Sequence, residues 1–89
     1  MAKLKIVASA QFRRDVKKQI SALLTSEWAE IIYCLINGLQ LEQKYHDHQL
    51  TGNLKNFREC HIKPDLLLIY RIDGNELLLY RIGSHSEVF

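Results

Sequence analysis

The N-terminal third of the chain passes from a two-residue hydrophobic period to a helical one. Residues 3–8 alternate basic and apolar side chains, which predicts a short strand with one solvated face. Ser9 is suited to cap a following helix, whose apolar stripe is Phe12, Val16, Ile20 and Leu23. A second helix is predicted after Thr25, with core positions Trp28, Ile31, Ile32, Leu35, Ile36 and Leu39. Asn37-Gly38 predicts its C-terminal end.

The C-terminal half carries strand patterns separated by turn signals. Residues 40–55 lack sustained periodicity and predict a polar connection, after which a strand covers about 56–62. Lys63-Pro64-Asp65 predicts a turn, and the apolar run 66–70 predicts a central strand covered on both faces. Asp73-Gly74 predicts a hairpin into a last strand over 77–82. The order β-α-α-β-β-β indicates an α+β fold, in which two helices pack on a mainly antiparallel sheet.

Length and composition favour one small domain spanning residues 1–89. The chain has 89 residues, of which 47% are hydrophobic, so a packed core is expected rather than disorder. Cys34 and Cys60 form no C-x-x-C pair and predict reduced thiols in a cytoplasmic protein. No apolar run approaches the roughly 20 residues that span a bilayer, and the N-terminus opens no secretory signal. We therefore expect a cytoplasmic location and no membrane partner.

Charge is unevenly distributed along the chain. Residues 1–24 hold six basic side chains against one acidic side chain, and four of the six fall in the predicted first helix: Arg13, Arg14, Lys17 and Lys18. Such a surface suits a polyanion or an acidic partner. A solvated helix face explains the same pattern, and charge by itself favours that second interpretation.

All four histidines lie in the C-terminal half: His46, His48, His61 and His85. Glu59 and His61 share one face of a predicted strand, about 7 Å apart, because alternate residues point the same way. Asp65 follows the next turn. Arg81 closes the last strand, and Gly83 is expected to let the chain bend so that His85 folds back. An acid, a base and a cation are thus predicted to converge at one end of the sheet.

This set of residues suits RNA cleavage that needs neither metal nor cofactor. A general base removes the 2′-hydroxyl proton, a general acid protonates the departing 5′-oxygen, and a fixed cation stabilises the charge on phosphate. Histidine serves either role near neutral pH. A competing interpretation is a zinc site made by His46-Asp47-His48 with His61, although an H-x-H pair in a loop is a weak signal.

The C-terminal half resembles a known family of toxins. Residues 45–65 contain Asp-His, then Leu-x-Gly, then Lys and an aromatic-Arg-acid-x-His, then Pro-Asp before an apolar strand that ends in Tyr. Residues 81–89 contain Arg-x-Gly-x-His and a terminal aromatic residue. Both segments resemble the YafQ branch of the RelE/ParE superfamily closely over about residues 44–89. The two helices match that family in pattern rather than in identity.

The resemblance implies a ribosome-dependent endoribonuclease that cuts mRNA and is neutralised by a cognate antitoxin, with operator DNA bound only through the antitoxin complex. It implies an acid–base set made of His48, His61, Asp65 and His85. His85 is the first choice for the general acid, and His61 or Asp65 is the preferred base, with His48 assisting. Glu59 occupies a position that is usually aspartate in the family.

Other residues receive binding roles from the same resemblance. Arg81 would stabilise phosphate, and Phe89 would stack on a base. Lys55 and Arg58 would hold phosphate, although a salt bridge at the sheet edge explains them equally well. The basic first helix would contact ribosomal RNA. His46 has no counterpart and is interpreted as an exposed loop residue, while Tyr70 and Tyr80 are interpreted as core-edge residues outside the site.

Two other functions remain open from the sequence. One is a gyrase-poisoning toxin of the related ParE branch, which shares the fold but lacks the histidine set. The other is a non-catalytic module that only binds an antitoxin. The presence of His48, His61 and His85 argues against the first.

Overall fold

The computed structural model describes residues 3–89, which form a five-stranded sheet with helices on both faces. The strands are β1 (Lys5–Ala8), β2 (His48–Gln49), β3 (Arg58–Lys63), β4 (Leu66–Asp73) and β5 (Glu76–Gly83). The α-helices are α1 (Ala10–Lys18), α2 (Ser26–Ile36) and α3 (His85–Val88). Short 3-10 turns cover Ile20–Leu24, Gln43–Tyr45 and Gly52–Leu54.

The sheet has the strand order β1-β5-β4-β3-β2. β1 pairs with β5 in parallel, whereas all other neighbouring strands are antiparallel. The long path through α1 and α2 allows β1 to lie beside the last strand, since a parallel pair needs a long connection. The predicted α+β class with a mainly antiparallel sheet is confirmed.

The boundaries of α1 and α2 follow from their side-chain caps, from an early end of α1 and from Gly38 after α2. Ser9 Oγ accepts a hydrogen bond from the Phe12 N–H at 2.9 Å, which confirms the predicted cap of α1. α1 ends at Lys18 and the chain tightens into a 3-10 turn, so Ile20 is 56% exposed and its prediction as a core residue was wrong. Gly38, with φ of +69°, ends α2 as predicted. Leu39 lies beyond that end and is 50% exposed, so its core assignment was also wrong.

Hydrophobic side chains are buried on both faces of the central strand β4. Leu68 and Tyr70 belong to the larger core under α1 and α2. Leu67 and Ile69 pack with Val88 of α3 on the opposite face. The prediction of a central strand covered on both sides is confirmed, and α3 supplies part of the second cover.

The predicted polar connection contains one strand that the pattern did not predict. β2 pairs with β3 through His48 opposite Glu59 and Gln49 opposite Arg58. Two residues are too few for a period-two pattern to be recognised.

Cys34 is half-buried, Cys60 is buried, and both are free thiols. Across residues 3–89, no helix has the length and apolarity to span a bilayer.

Candidate active site

The alternation of β3 places acidic and basic side chains on the sheet face opposite α1 and α2. Cys60 and Ile62 are buried in the core beneath those helices. Glu59 and His61 point the other way, opposite Ile69 and Leu67 of β4 in the strand register. The predicted shared face of Glu59 and His61 is therefore confirmed.

His48, Glu59 and His61 form a close cluster at the β2–β3 edge. Glu59 Oε1 lies 3.1 Å from His61 Nε2 and 3.8 Å from His48 Nε2. The Glu59 side chain is buried, whereas both imidazoles are partly exposed. A buried carboxylate therefore lies between two histidines, and a substrate can reach the exposed sides of the two imidazole rings.

The hydrogen-bond partners indicate which tautomer each of these two histidines adopts in its neutral form. His48 Nδ1 lies 2.7 Å from the His46 carbonyl oxygen, which only accepts, so Nδ1 carries the proton. The lone pair of neutral His48 is then on Nε2. His61 Nε2 faces a carboxylate oxygen, so it donates the hydrogen bond to Glu59. The two rings are therefore distinct chemically, with a proton acceptor at His48 and a proton donor at His61.

Asp47 does not point towards this histidine cluster. Its carboxylate accepts hydrogen bonds from Arg58 Nη2 at 2.9 Å and from the Tyr70 hydroxyl at 2.5 Å. The hydrogen bond with Asp47 raises the pKa of Arg58 above its ordinary value. Of the two interpretations of Arg58, the structure contains the salt bridge. The ligand set His46-Asp47-His48 is not assembled, because Asp47 is bound to these other groups.

A cavity of about 720 Å³ opens beside His48 and His61. His46 forms part of its wall and lies edge-on to His61, with ring centroids 5.5 Å apart. Lys44 and Lys63 line its rim, and Lys63 pairs with Glu27 of α2 at 3.2 Å. The cavity therefore continues from the two imidazoles towards the N-terminus of α2.

His85 lies on the same sheet face as the cluster, at the end of β5. The register runs from His61 through Leu67 to Gly83, so two strand spacings, about 10 Å, separate the backbones of His61 and Gly83. The exposed His85 ring contacts the Phe89 ring, with centroids 5.0 Å apart. Asp65 accepts a hydrogen bond from the His85 backbone N–H at 3.4 Å. The predicted residues thus form two groups on one face, His48–Glu59–His61 and Asp65–His85–Phe89.

The helix α3 that carries His85 is held by polar and apolar contacts. The Ser84 N–H donates to Glu87 Oε1 at 2.8 Å in a capping box, and this contact lowers the pKa of Glu87. Arg81 Nη2 donates to the Glu87 carbonyl at 3.1 Å, and Val88 is buried against the sheet. These contacts fix the direction in which His85 leaves the sheet.

Gly83 is required for space rather than for its conformational freedom. A Cβ atom at this position would lie 3.0 Å from Glu87 Oε1 and 3.3 Å from both Glu87 Cβ and Val88 Cγ1. The chain bends after Gly83 into α3, as expected, but Gly83 is not among the positive-φ residues, so the bend does not need a left-handed conformation. Its small size lets α3 close onto β5.

Gly83→Ala is expected to loosen α3 and to lower stability by about 1–2 kcal/mol, because an added methyl group displaces Glu87 and Val88. Urea denaturation measures the loss, and hydrogen exchange at the Glu87 and Val88 amides reports the loosening. Ser86→Ala, on the exposed side of the same helix, is the control and is expected to change neither. Unchanged stability and amide protection in Gly83→Ala would contradict this account.

Arg81 is bound to a partner that the sequence analysis did not include. Its Nε donates to Asp15 Oδ2 at 2.7 Å and its Nη2 to Asp15 Oδ1 at 3.2 Å. Asp15 also accepts a hydrogen bond from the Ile82 N–H at 3.1 Å. Ile82 lies past Leu79, the last residue of β5 that pairs with β1. Burial acts to raise the pKa of Asp15, but the hydrogen bonds from Arg81 and Ile82 outweigh it and lower that pKa. Contact of Arg81 with phosphate stays a prediction.

The remaining predicted binding residues lie at the surface. Lys55 is exposed after a 3-10 turn, and its carbonyl accepts a hydrogen bond from Gln49 Nε2 at 2.8 Å. Phe89 is half-exposed beside His85. The four basic residues of α1 are exposed as predicted: Arg13, Arg14, Lys17 and Lys18. Their contacts with RNA stay predictions.

Known proteins share this architecture along nearly the whole chain. Residues 4–89 match the family model described as bacterial toxin of type II toxin-antitoxin system, YafQ. The mRNA interferase toxin YafQ of Escherichia coli K12 is 32% identical over 83 residues, which cover 91% of this chain and 90% of that protein.

Solved structures agree with the sequence comparison. A copper-bound mutant toxin from Helicobacter pylori has a TM-score of 0.89 and 41% identity, and the match covers 97% of this chain and 99% of that one. The Escherichia coli DinJ-YafQ toxin-antitoxin complex gives a TM-score of 0.83 at 32% identity, covering 98% of both chains. Fold and site thus define a small α+β toxin of a type II toxin–antitoxin system. Within that class, the chain belongs to the YafQ family.

Proposed function

We propose that this chain is an mRNA interferase that cleaves mRNA on the ribosome by acid–base catalysis. The observation that carries the proposal is the position of His48, Glu59 and His61 on the same sheet face as His85. The similarity to the Escherichia coli mRNA interferase toxin supports the choice of mRNA as substrate.

The hydrogen bonds of His48 and His61, together with the position of His85, support one role for each histidine in this reaction. His48 Nε2 carries the lone pair and is the general base that takes the 2′-hydroxyl proton. The 2′-oxygen then attacks the adjacent phosphorus, and the bond to the 5′-oxygen breaks. His85 is the general acid that protonates this leaving oxygen, as in the sequence interpretation. His61 keeps its Nε2–H on Glu59, and in the protonated imidazolium form, in which Nδ1 also carries a proton, it donates Nδ1–H to the phosphate oxygens as charge develops on them.

This assignment revises the base that the sequence favoured. His61 and Asp65 were the preferred candidates, with His48 assisting. His61 Nε2 donates to Glu59, and Asp65 accepts from the His85 backbone. The His48 ring is more exposed than the His61 ring, and its Nε2 lies 3.8 Å from Glu59, beyond hydrogen-bond distance, so we assign His48 as the base. Asp65 becomes a group that positions His85.

We further propose that a cognate antitoxin binds this chain and that the ribosome supplies the RNA surface for α1. The toxin–antitoxin complex of the Escherichia coli relative supports the first partner. The exposed cations of α1 support the second, because they are suited to phosphate groups. Operator DNA is expected to be bound only by the antitoxin complex.

Mapping of mRNA 5′ ends after induction tests the proposed function. We expect the wild-type protein to arrest growth and to produce new internal ends bearing a 5′-hydroxyl, paired with 2′,3′-cyclic phosphate or 3′-phosphate ends. The double variant His61→Ala, His85→Ala is expected to lose both growth arrest and cleavage, because it lacks two of the three imidazoles.

Two results would contradict the proposal. Growth arrest that persists in the double variant would favour a gyrase target or a binding-only role. Cleavage by the purified protein that EDTA abolishes and zinc alone restores would replace the acid–base assignment with a metal-dependent reaction.

A further inference from the structure

We propose that Asp47, anchored by Tyr70 and Arg58, is a positioning residue that fixes the imidazole of His48 in the orientation needed for catalysis. This inference rests on the proposed function, since it assumes that His48 takes part in the reaction. Neither Asp47 nor Tyr70 belonged to the predicted acid–base site; Asp47 entered only the competing zinc interpretation, and Arg58 was predicted only as a phosphate ligand or a salt bridge.

The anchor consists of two side chains from neighbouring strands. Arg58 of β3 and Tyr70 of β4 lie opposite each other in the strand register. Both donate to the Asp47 carboxylate, Arg58 through Nη2 at 2.9 Å and Tyr70 through its hydroxyl at 2.5 Å. Tyr70 is only 1% exposed and sits in the core below the helices. Asp47 is therefore attached to the most rigid part of the sheet.

The hydroxyl of Tyr70 is a dependable donor for this carboxylate. Burial and the hydrogen bond to Asp47 both raise the pKa of Tyr70 above its ordinary value. The phenol is thus protonated at any pH near neutrality. Since a carboxylate oxygen accepts the bond, the Tyr70 contact persists wherever Asp47 is ionised.

The position of Asp47 bears directly on His48 because the two residues are consecutive. In extended backbone, consecutive side chains point to opposite faces. Asp47 reaches the helix-covered face, where it meets Tyr70, while His48 projects towards Glu59 on the other face. Holding the first side chain therefore sets the direction of the second.

On its C-terminal side, the segment around His48 is held by Gln49, which donates to the Lys55 carbonyl, and by the Leu50 N–H, which donates to the Phe57 carbonyl, so Asp47 is its anchor on the N-terminal side. β2 is two residues long, and both of its residues are exposed. The preceding residue, His46, adopts φ of +50°, an unfavourable conformation for a side chain other than glycine. Its carbonyl oxygen lies 2.7 Å from His48 Nδ1 and sets the tautomer. The Asp47 anchor stabilises this conformation, and with it the tautomer that leaves Nε2 free.

Tyr70→Phe tests the inference because it removes one oxygen atom and keeps the ring in the core. We expect ribosome-dependent mRNA cleavage to fall about tenfold in this variant, since misplacement of a catalytic group by about 1 Å lowers rates strongly. Nitrogen-15 spectra of the histidine rings are expected to show His48 changing from one tautomer to a mixture. Asp47→Ala is expected to lower cleavage further, and adding Tyr70→Phe to it should have no additional effect, because both act through one contact.

Ile31→Val is the matched control for a general loss of stability. Ile31 is fully buried on α2, so its truncation weakens the core as the loss of a buried hydrogen bond does, yet its side chain has no polar atom and takes no part in the hydrogen bonds to Asp47. We expect its cleavage rate and His48 spectrum to match those of the wild type. Equal losses of activity in Ile31→Val and Tyr70→Phe would overturn the inference, as would an unchanged His48 spectrum in Tyr70→Phe.

His48→Ala separates failure of this inference from failure of the proposed function. If His48→Ala cleaves mRNA at the wild-type rate, the catalytic role of His48 is wrong, whatever Tyr70→Phe shows. If His48→Ala is inactive while Tyr70→Phe keeps the wild-type rate and spectrum, the catalytic role stands and the positioning role of Asp47 is wrong.

Discussion

His85→Ala is expected to lower ribosome-dependent mRNA cleavage by roughly 100-fold or more and to abolish growth arrest. A positioned general acid contributes about 10²–10⁴-fold to such reactions, and no other histidine lies on α3. The leaving 5′-oxygen of RNA is a strong base, so its departure depends on protonation. Single-turnover cleavage by the purified variant measures the loss of the chemical step separately from ribosome binding.

The fold should survive this substitution, which makes the result interpretable. The His85 ring is exposed, and α3 is held by Ser84, Glu87 and Val88 rather than by that ring. We expect the urea midpoint to stay within the range of Ser86→Ala, a neighbouring surface change that should keep full activity. A substrate with a 5′-thio leaving group, which departs without a proton, should restore cleavage in His85→Ala. Absence of that rescue would argue that His85 binds RNA rather than protonating it.

Asp15→Ala is expected to destabilise the protein by about 2–3 kcal/mol, because it leaves a largely buried cation without its partner. It leaves the Arg81 guanidinium without its partner and the Ile82 N–H without an acceptor at the uncovered edge of β5. Removing one member of a largely buried ion pair costs several kcal/mol, and partial exposure of Arg81 reduces that cost. Chemical denaturation followed by Trp28 fluorescence measures the change.

The pH dependence of stability provides a second measurement on Asp15. Its pKa in the folded protein is lowered, so the unfolded chain binds the proton more readily. The stabilisation is complete above the unfolded value, about 3.9 for aspartate, and is lost as the pH falls through the lower folded value. Asp15→Asn should therefore be less stable than the wild type at pH 7 and lose less stability on acidification.

Asp73→Asn is the control for removing one negative charge without burial. Asp73 is 74% exposed and lies 3.8 Å from Arg71, so its pair contributes little. We expect its unfolding curve to shift by less than about 0.5 kcal/mol. If Asp15→Ala behaved like Asp73→Asn, the contact of Asp15 with Arg81 and Ile82 would be irrelevant to stability, and Arg81 would be available for phosphate.

Local patterns predicted most of the architecture. The cap at Ser9, the stop at Asn37-Gly38, the turn at Pro64 and the hairpin after Asp73 each depend on a few consecutive residues, and the structure contains all four. The α+β class and the central position of β4 also followed from hydrophobic periods. These features were predictable because a cap, a turn or a buried face is a property of short segments.

The errors fall where distant segments compete. Ile20 was assigned to the stripe of α1, but α1 ends at Lys18 and the chain tightens into a 3-10 turn that leaves Ile20 exposed. β2 exists only because β3 offers two residues to pair with. The ion pair of Arg81 with Asp15, which lies 66 positions earlier, was not predicted because nothing in either segment reveals it. The hydrogen bond from Tyr70 to Asp47 was not predicted for the same reason, since the two residues lie 23 positions apart.

The sequence by itself determined the elements of this protein and the residue types of its site, because hydrophobic periods, caps and histidine-rich motifs are local. Only the tertiary structure decided which of those residues act together. It paired Glu59 with His61, placed His48 Nε2 at 3.8 Å from the same carboxylate and engaged Arg58 and Arg81 with other carboxylates. The physical reason is that the hydrogen bonds and ion pairs of a side chain depend on its nearest neighbours in space. Strand register and helix packing bring those neighbours from remote parts of the chain.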